Sequence, residues 1–213
     1  MNTIRTFVKE AFVFGWKSFK ATPWLFIAAP LVLMAITIGI AFVEEILGAV
    51  FGDEKMELVI YIESAITTFL MSIGMVALYL KAHDTPLTTE LRDLWHPKPF
   101  WRYVGVTILG GLAVMVGLIL FIVPGIIIAI AFSFAGLLVV DRGLGPVAAL
   151  KESVRLTKGH RLQLFVLGLA NVGTNIIGFC VLLVGLLVTG PITEMAFVHA
   201  YKTIRNADSA HSA

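Results

Sequence analysis

The chain has 213 residues, 58% of them hydrophobic and 14% charged, with a formal net charge of +2 and a mean hydropathy of +0.92. Soluble domains carry about 25% charged residues, so a soluble globular protein is excluded: it could not hide this much apolar surface. The single cysteine, Cys180, excludes an intramolecular disulfide.

Residues 1–22 come first. Ile4, Phe7, Val8, Ala11, Phe12, Gly15, Trp16 and Phe19 share one face of a helix, with Arg5, Lys9, Lys17 and Lys20 off it. This predicts an N-terminal helix lying in the cytoplasmic interface. It is too long and too structured for the charged start of a cleavable signal peptide, so the apolar run that follows is expected to be retained. Pro23 to Val43 carries no charge and Leu58 to Leu80 carries only Glu63. A bilayer core of about 30 Å needs roughly 20 apolar residues per helix, so each run is one span. Tyr103 to Val140 and Leu162 to Thr193 are uncharged and long enough for two spans each. Pro124-Gly125 predicts the turn in the first of these, and Gly185 and Gly190-Pro191 a less sharply placed turn in the second. The expected fold is an all-α, polytopic six-helix transmembrane bundle forming one integral membrane domain over residues 1–213. Its spans are 23–43, 58–80, 104–123, 125–141, 162–182 and 186–204, and residues 205–213 make a short cytoplasmic tail.

All but one of the 16 Lys and Arg lie in 1–22, 81–103, 141–161 and 202–205. With six spans these clusters share one side, and positive charge stays cytoplasmic. The expectation is a multi-pass inner-membrane protein with both termini inside. Trp16, Trp24, Trp95, Trp101, Tyr79, Tyr103 and Tyr201 fall near the inner ends of spans, where an interfacial aromatic belt belongs.

Between the fourth and fifth spans, "GPVAALKESVRLTKGH" predicts a second interfacial helix over 146–158. Pro146 suits its first position and Gly159 the position past its end. Val147, Leu150, Val154 and Thr157 form its apolar face. A shorter version, "TTELRDLWHPKPFW", precedes the third span. "VKEAF" at 8–12, "LRDLW" at 91–95 and "LKESV" at 150–154 share one pattern, and an apolar hairpin follows each. The reading is three units of interfacial helix plus hairpin; any basic juxtamembrane helix would also match so short a pattern.

"FIVPGIIIAIAFSFAGLLVVDRGLGPVAALKESVRLTKGH" resembles a family of bacterial integral membrane proteins. These are related to the membrane domain of some glycerophosphoryl diester phosphodiesterases and to stand-alone YciC-like proteins. The resemblance rests on Pro124-Gly125, Asp141 to Gly145, Ala148-Ala149, Ser153 and Gly159. "GLLVTGPITEMAFVHAYKTI" at 185–204 is similar to the family's closing span. The resemblance implies a six-helix inner-membrane protein and little about activity. With about eight residues after the last span, no phosphodiesterase catalytic domain is expected.

Ionisable residues inside a membrane are functional suspects. Glu63, Ser64, Thr67, Ser133, Asn171, Asn175 and Glu194 are the candidate lining of a polar pocket in the outer half, for a cation, a proton or a lipid headgroup. The competing reading is helix packing, because small and polar stripes also let membrane helices approach closely. Gly110, Ala113 and Gly117 are read as such a packing face. Lys9, Lys17, Lys20, Arg142, Lys151, Arg155, Lys158 and Arg161 are candidate contacts for anionic headgroups, although topology anchoring explains them equally. No metal-ligand spacing, phosphate-cradling loop, nucleophile constellation or nucleic-acid stacking motif stands out. No cofactor, no enzymatic activity and no nucleic-acid partner are therefore expected. The expected partners are the phospholipid bilayer and either a membrane protein or a second copy of the chain. Two functions compete: a non-enzymatic module organising lipid or a partner protein, and a small transporter or channel for a solute, ion or lipid using Glu63 and Glu194. An enzyme acting on lipid is a weaker third.

Overall fold

The computed structural model describes residues 2–51, 53–181 and 185–212, with side chains over 3–50, 57–181 and 185–210. The described residues form α-helices joined by short turns. These are α1 (Asn2–Ala21), α2 (Pro23–Phe51), α3 (Asp53–Asp84), α4 (Phe100–Leu120), α5 (Ile122–Phe132), α6 (Ala135–Arg142), α7 (Pro146–Thr157), α8 (Arg161–Cys180) and α9 (Leu186–Ser212). Two 3-10 turns, Pro86–Thr88 and Leu91–Leu94, lie between α3 and α4. Residues 182–184, where the fifth span was expected to end, lie outside the described residues.

Among the described residues, five stretches are long and apolar enough to cross a membrane: Pro23–Val50, Glu57–Asp84, Phe100–Leu120, Ile122–Arg142 and Arg161–Cys180. The expected sixth span falls in α9, which carries Glu194, His199 and Lys202 and is not among them. The turn between the third and fourth spans sits at Phe121, whose backbone is extended, and not at Pro124-Gly125. Proline needs no amide partner in the first turn of a helix, so Pro124 starts α5 instead of breaking it. Gly117 and Gly125 let the two helices close tightly here: a Cβ on Gly117 would come within 3.0 Å of the Gly125 Cα.

Among the described residues, large apolar side chains are buried at one end of the molecule. Among the described residues the buried apolar set runs to Ala29, resumes at Ile73, and leaves similar gaps after Val106 and Leu167. This end, the base, gathers α1, α7, the start of α2 and the ends of α3, α6 and α9. Phe26, Leu78, Phe134, Leu138, Met195 and Tyr201 are fully buried in it. Away from the base, the helical hairpins present Ile38, Phe42, Ile119, Val172 and Ile177 outward.

Two expected interfacial helices differ from expectation. The apolar face of α1 meets protein: Ala11 and Phe19 are buried, and a Cβ on Gly15 would overlap the Ile192 carbonyl of α9. In α7 the buried face is Ala149, Ser153, Leu156 and Thr157, while Val147 is exposed. The middle copy, Leu91 to Trp95, is a 3-10 turn and not an α-helix. A helix ahead of a hairpin is thus seen before α2 and before α8, and not a third time.

Span four is broken at Ser133-Phe134, and α7 repairs the break. Ser153, fully buried, accepts the Phe134 N–H at 3.2 Å and donates to the Ala131 carbonyl at 2.7 Å. Thr157 adds a bond to the same carbonyl at 3.3 Å. Broken helices persist at membrane depth only where such groups are satisfied. Ser153→Ala is expected to lower stability by about 1–3 kcal/mol by orphaning them, with Ser153→Thr milder; unfolding in detergent checks this.

Candidate functional site

The charged chemistry of the described residues concentrates in the base, where α3, α6 and α9 meet. Lys202 is 5% exposed. Its Nζ donates to Asp84 at 2.9 Å and to Asp141 at 3.2 Å. The Tyr201 hydroxyl donates to Asp141 at 2.7 Å, and Arg205 pairs with the same carboxylate. Buried charged groups need pairing and hydrogen bonds of this kind. Alongside, His83 Nε2 and His199 Nδ1 are 3.2 Å apart, and His83 Nδ1 is 3.0 Å from Asp84. Phe14 of α1 stacks on His199 with ring centroids 4.2 Å apart. The cluster therefore joins four helices. Sequence reasoning counted Lys202 among the cytoplasmic basic clusters and placed Asp141 at the end of the fourth span. The available signal was the two stretches on which the resemblance rests, Asp141 to Gly145 and 185–204.

The segment between α3 and α4 is clamped beside this cluster. Lys81 Nζ donates to both Asp93 oxygens, at 2.8 and 2.7 Å, and the Glu90 N–H donates to the same carboxylate at 2.8 Å. Burial alone would raise the Asp93 carboxyl, but these donors outweigh it and hold the group below its ordinary value. A depressed carboxylate contributes stability above its unfolded pKa, about 3.9, and loses it as pH falls through the folded value. The thermal midpoint is expected to fall as pH is taken from about 5 through and below 4. Asp93→Asn should remove that component; an unchanged profile in the variant would discount the clamp.

The residues expected to share an outer pocket separate into several places. Glu63 accepts from Thr67 at 2.5 Å, and its other oxygen is buried without a partner. It lines a cleft between α2 and α3 with Glu44, which sequence reasoning had placed in a loop. Ser64 is exposed and bonds only to its own helix, at the Tyr61 carbonyl. The Ser133 hydroxyl is buried and unpartnered. Asn171 donates to the Thr193 carbonyl at 3.3 Å and Asn175 to the Thr193 hydroxyl at 3.1 Å, fastening α8 to α9. Glu194 is an exposed residue whose charge acts on the Tyr79 and Tyr103 phenols. No hydrogen bond joins Glu63 to Glu194 among the described residues.

The expected cationic contacts divide as well. Arg142 and Arg155 both pair with Glu152, at 3.2 and 2.8 Å, and Arg155 also reaches Asp208. Hydrogen bonding from Arg155 holds the Glu152 carboxyl below its ordinary value. The Arg161 Nε is buried without a partner. Lys9, Lys17, Lys20, Lys151 and Lys158 are exposed, and Lys20 sits over the Trp16 ring at 5.5 Å.

A family model described as "Protein of unknown function (DUF975)" matches residues 56–208. The chain is 28% identical over 165 residues to uncharacterised proteins of Mycobacterium bovis and Mycobacterium tuberculosis, covering 72% of this chain and 50% of each relative. It is 30% identical over 92 residues to a UPF0259 membrane protein of Pectobacterium carotovorum, covering 43% of this chain and 37% of that protein. This chain thus spans about half the length of the mycobacterial relatives or less of the others, at 50% and 37%. No solved structure matches. The family match runs from α3 to near the end of α9, and with the apolar helices and the membrane-protein relative it carries the identification: the chain is a membrane protein belonging to the family described as "Protein of unknown function (DUF975)".

Proposed function

We propose that this is a six-span integral membrane module, without enzymatic activity of its own, that organises lipid or a partner protein around its base. The observation that carries the reading is the asymmetry of the molecule. A closely packed, charge-rimmed base holds apolar hairpins whose outward surfaces suit lipid. Around that base α1, α7 and the residue that follows α7 present Lys9, Lys17, Lys20, Lys151 and Lys158, a surface suited to anionic headgroups.

In this reading α9 is the sixth span. Its buried residues, among them Met195, Ala196, Val198 and Tyr201, face protein, so the helix need not be apolar all round. Six spans keep the four basic clusters on one side, with cytoplasmic termini in an inner membrane. Cysteine labelling at Asn206 and Glu57 in intact cells tests this: the two positions should react from opposite sides. The likeness to the phosphodiesterase membrane domain rests on the motifs in 121–160 and 185–204 and brings no activity with it.

The test of function is native mass spectrometry of the protein extracted gently from its own membrane. A stoichiometric protein partner, or a homo-oligomer with retained phospholipid, is expected. A bare monomer carrying a small solute would favour transport, the second reading, which Glu194, an exposed acid within electrostatic range of Tyr79 and Tyr103, motivates. Flux in liposomes that is abolished by Glu194→Gln would then replace the module reading.

A further inference from the structure

We propose that the surface running from the polar cavity between α3, the 91–96 segment and α6 to the apolar groove between α2 and α3 binds one phospholipid with an amine-bearing zwitterionic headgroup, of the phosphatidylethanolamine class. Its headgroup occupies a polar cavity and an acyl chain the groove that adjoins it. The proposal rests on the lipid-organising reading above and gives it a ligand.

The polar cavity, about 400 Å³, is lined by Lys81, Asp84, Arg92, His96 and Asp141, with Trp95 at its rim. The second, about 320 Å³, is lined by Leu33, Ile36, Leu70, Met71 and Leu94, again with Trp95. Trp95 is thus common to both, and it is 73% exposed. Along α3 the groove takes residues 67–71 and the cavity residues 77–84. At 1.5 Å per residue their centres are roughly 17 Å apart along the helix. Polar and apolar compartments meeting at an exposed indole have the layout of a lipid at the membrane interface.

The lining selects the headgroup. Arg92 is 77% exposed and pairs with the exposed Glu90, while His96 makes no hydrogen bond among the described residues. Both can donate to a phosphate. Asp84 remains 55% exposed while bound to Lys202 and can accept from an ammonium. Asp84, Asp93 and Asp141 are already paired with Lys202, Lys81 and Arg205, so the lining is close to charge-balanced and matches a headgroup without net charge. A trimethylated amine has no N–H to give these carboxylates and favours a cage of Trp, Tyr or Phe rings, whereas this cavity offers only the Trp95 indole and the His96 imidazole.

The test uses the full chain, delipidated in mild detergent, with an equimolar mixture of phosphatidylethanolamine, phosphatidylglycerol and phosphatidylcholine of identical chains, read by native mass spectrometry. Phosphatidylethanolamine should be retained roughly tenfold over each competitor. Arg92→Gln, at an exposed position, should abolish that preference and leave the thermal midpoint unchanged. Ile36→Trp, filling the groove, should weaken retention independently of Arg92. Equal retention, a preference for phosphatidylglycerol, or a preference that survives Arg92→Gln would each overturn the site while leaving the lipid-organising reading standing. Retention of no lipid would remove both. Displacement of the lipid by soluble phosphoethanolamine would overturn the role of the groove.

Discussion

Replacing Asp141 by Ala is expected to destabilise the folded protein by about 3–5 kcal/mol, the cost of breaking a buried ion pair from one side. The carboxylate serves Lys202, Tyr201 and Arg205 at once and is 14% exposed, while the Lys202 side chain is 6% exposed. Removing it leaves a buried ammonium with only Asp84, and a buried phenol with no acceptor. Asp141→Asn should lose less, because the amide oxygen still accepts from Tyr201. Lys202→Met should be damaging by itself and partly rescued when combined with Asp141→Asn, since the second change removes the charge that the first strands. Unfolding of all four proteins in one detergent, treated as a double-mutant cycle, measures this. Purely additive losses would mean that the two groups do not act as a pair.

Gly74→Val should be comparably severe, by a different mechanism. A Cβ at position 74 would overlap the Leu94 carbonyl and come within 3.3 Å of the Leu94 Cα. Both are backbone atoms, so no rotamer change relieves the contact. The 3-10 turn at Leu91–Leu94 must leave α3, opening the face that Lys81 and Asp93 clamp. A loss of about 1–3 kcal/mol or more follows from overpacking, with faster trypsin cleavage at Arg92 and Lys98. Gly39→Ala is the control. It lies in α2 with nothing within 4 Å of its Cβ, so the higher helix propensity of alanine should leave it as stable as the parent or slightly more so. Equal behaviour at the two positions would remove the packing argument.

The apolar hairpins were legible because membrane helices leave long uncharged runs. The helix of residues 2–21 was legible for its periodicity, and so was the face it buries. What that face meets was not: a 3.6-residue period is the same whether protein or lipid lies opposite, and here Gly15 meets α9. The break at Ser133-Phe134 leaves little trace in an apolar run, because its repair comes from Ser153, some twenty residues later. Glu44 was read as loop because it follows an apolar run, yet α2 continues to Phe51 and carries it beside Glu63. The base network needed three distant stretches, around 84, 141 and 202, brought to one point, and spacing along the chain does not encode that.

The confinement of the packed interior to one end has a mechanical consequence. Lipid tails are as apolar as leucine, so the far halves of the hairpins gain nothing hydrophobically by closing on one another. Hairpins that close on themselves by close backbone approach, as at Gly117 and Gly125, would move as stiff arms held at the base, with the angles between them set by the lateral pressure of the surrounding chains. A membrane under different curvature stress would shift their angles first, and the strain would arrive at the base through α3, α6 and α9, the helices that share the Lys202 cluster.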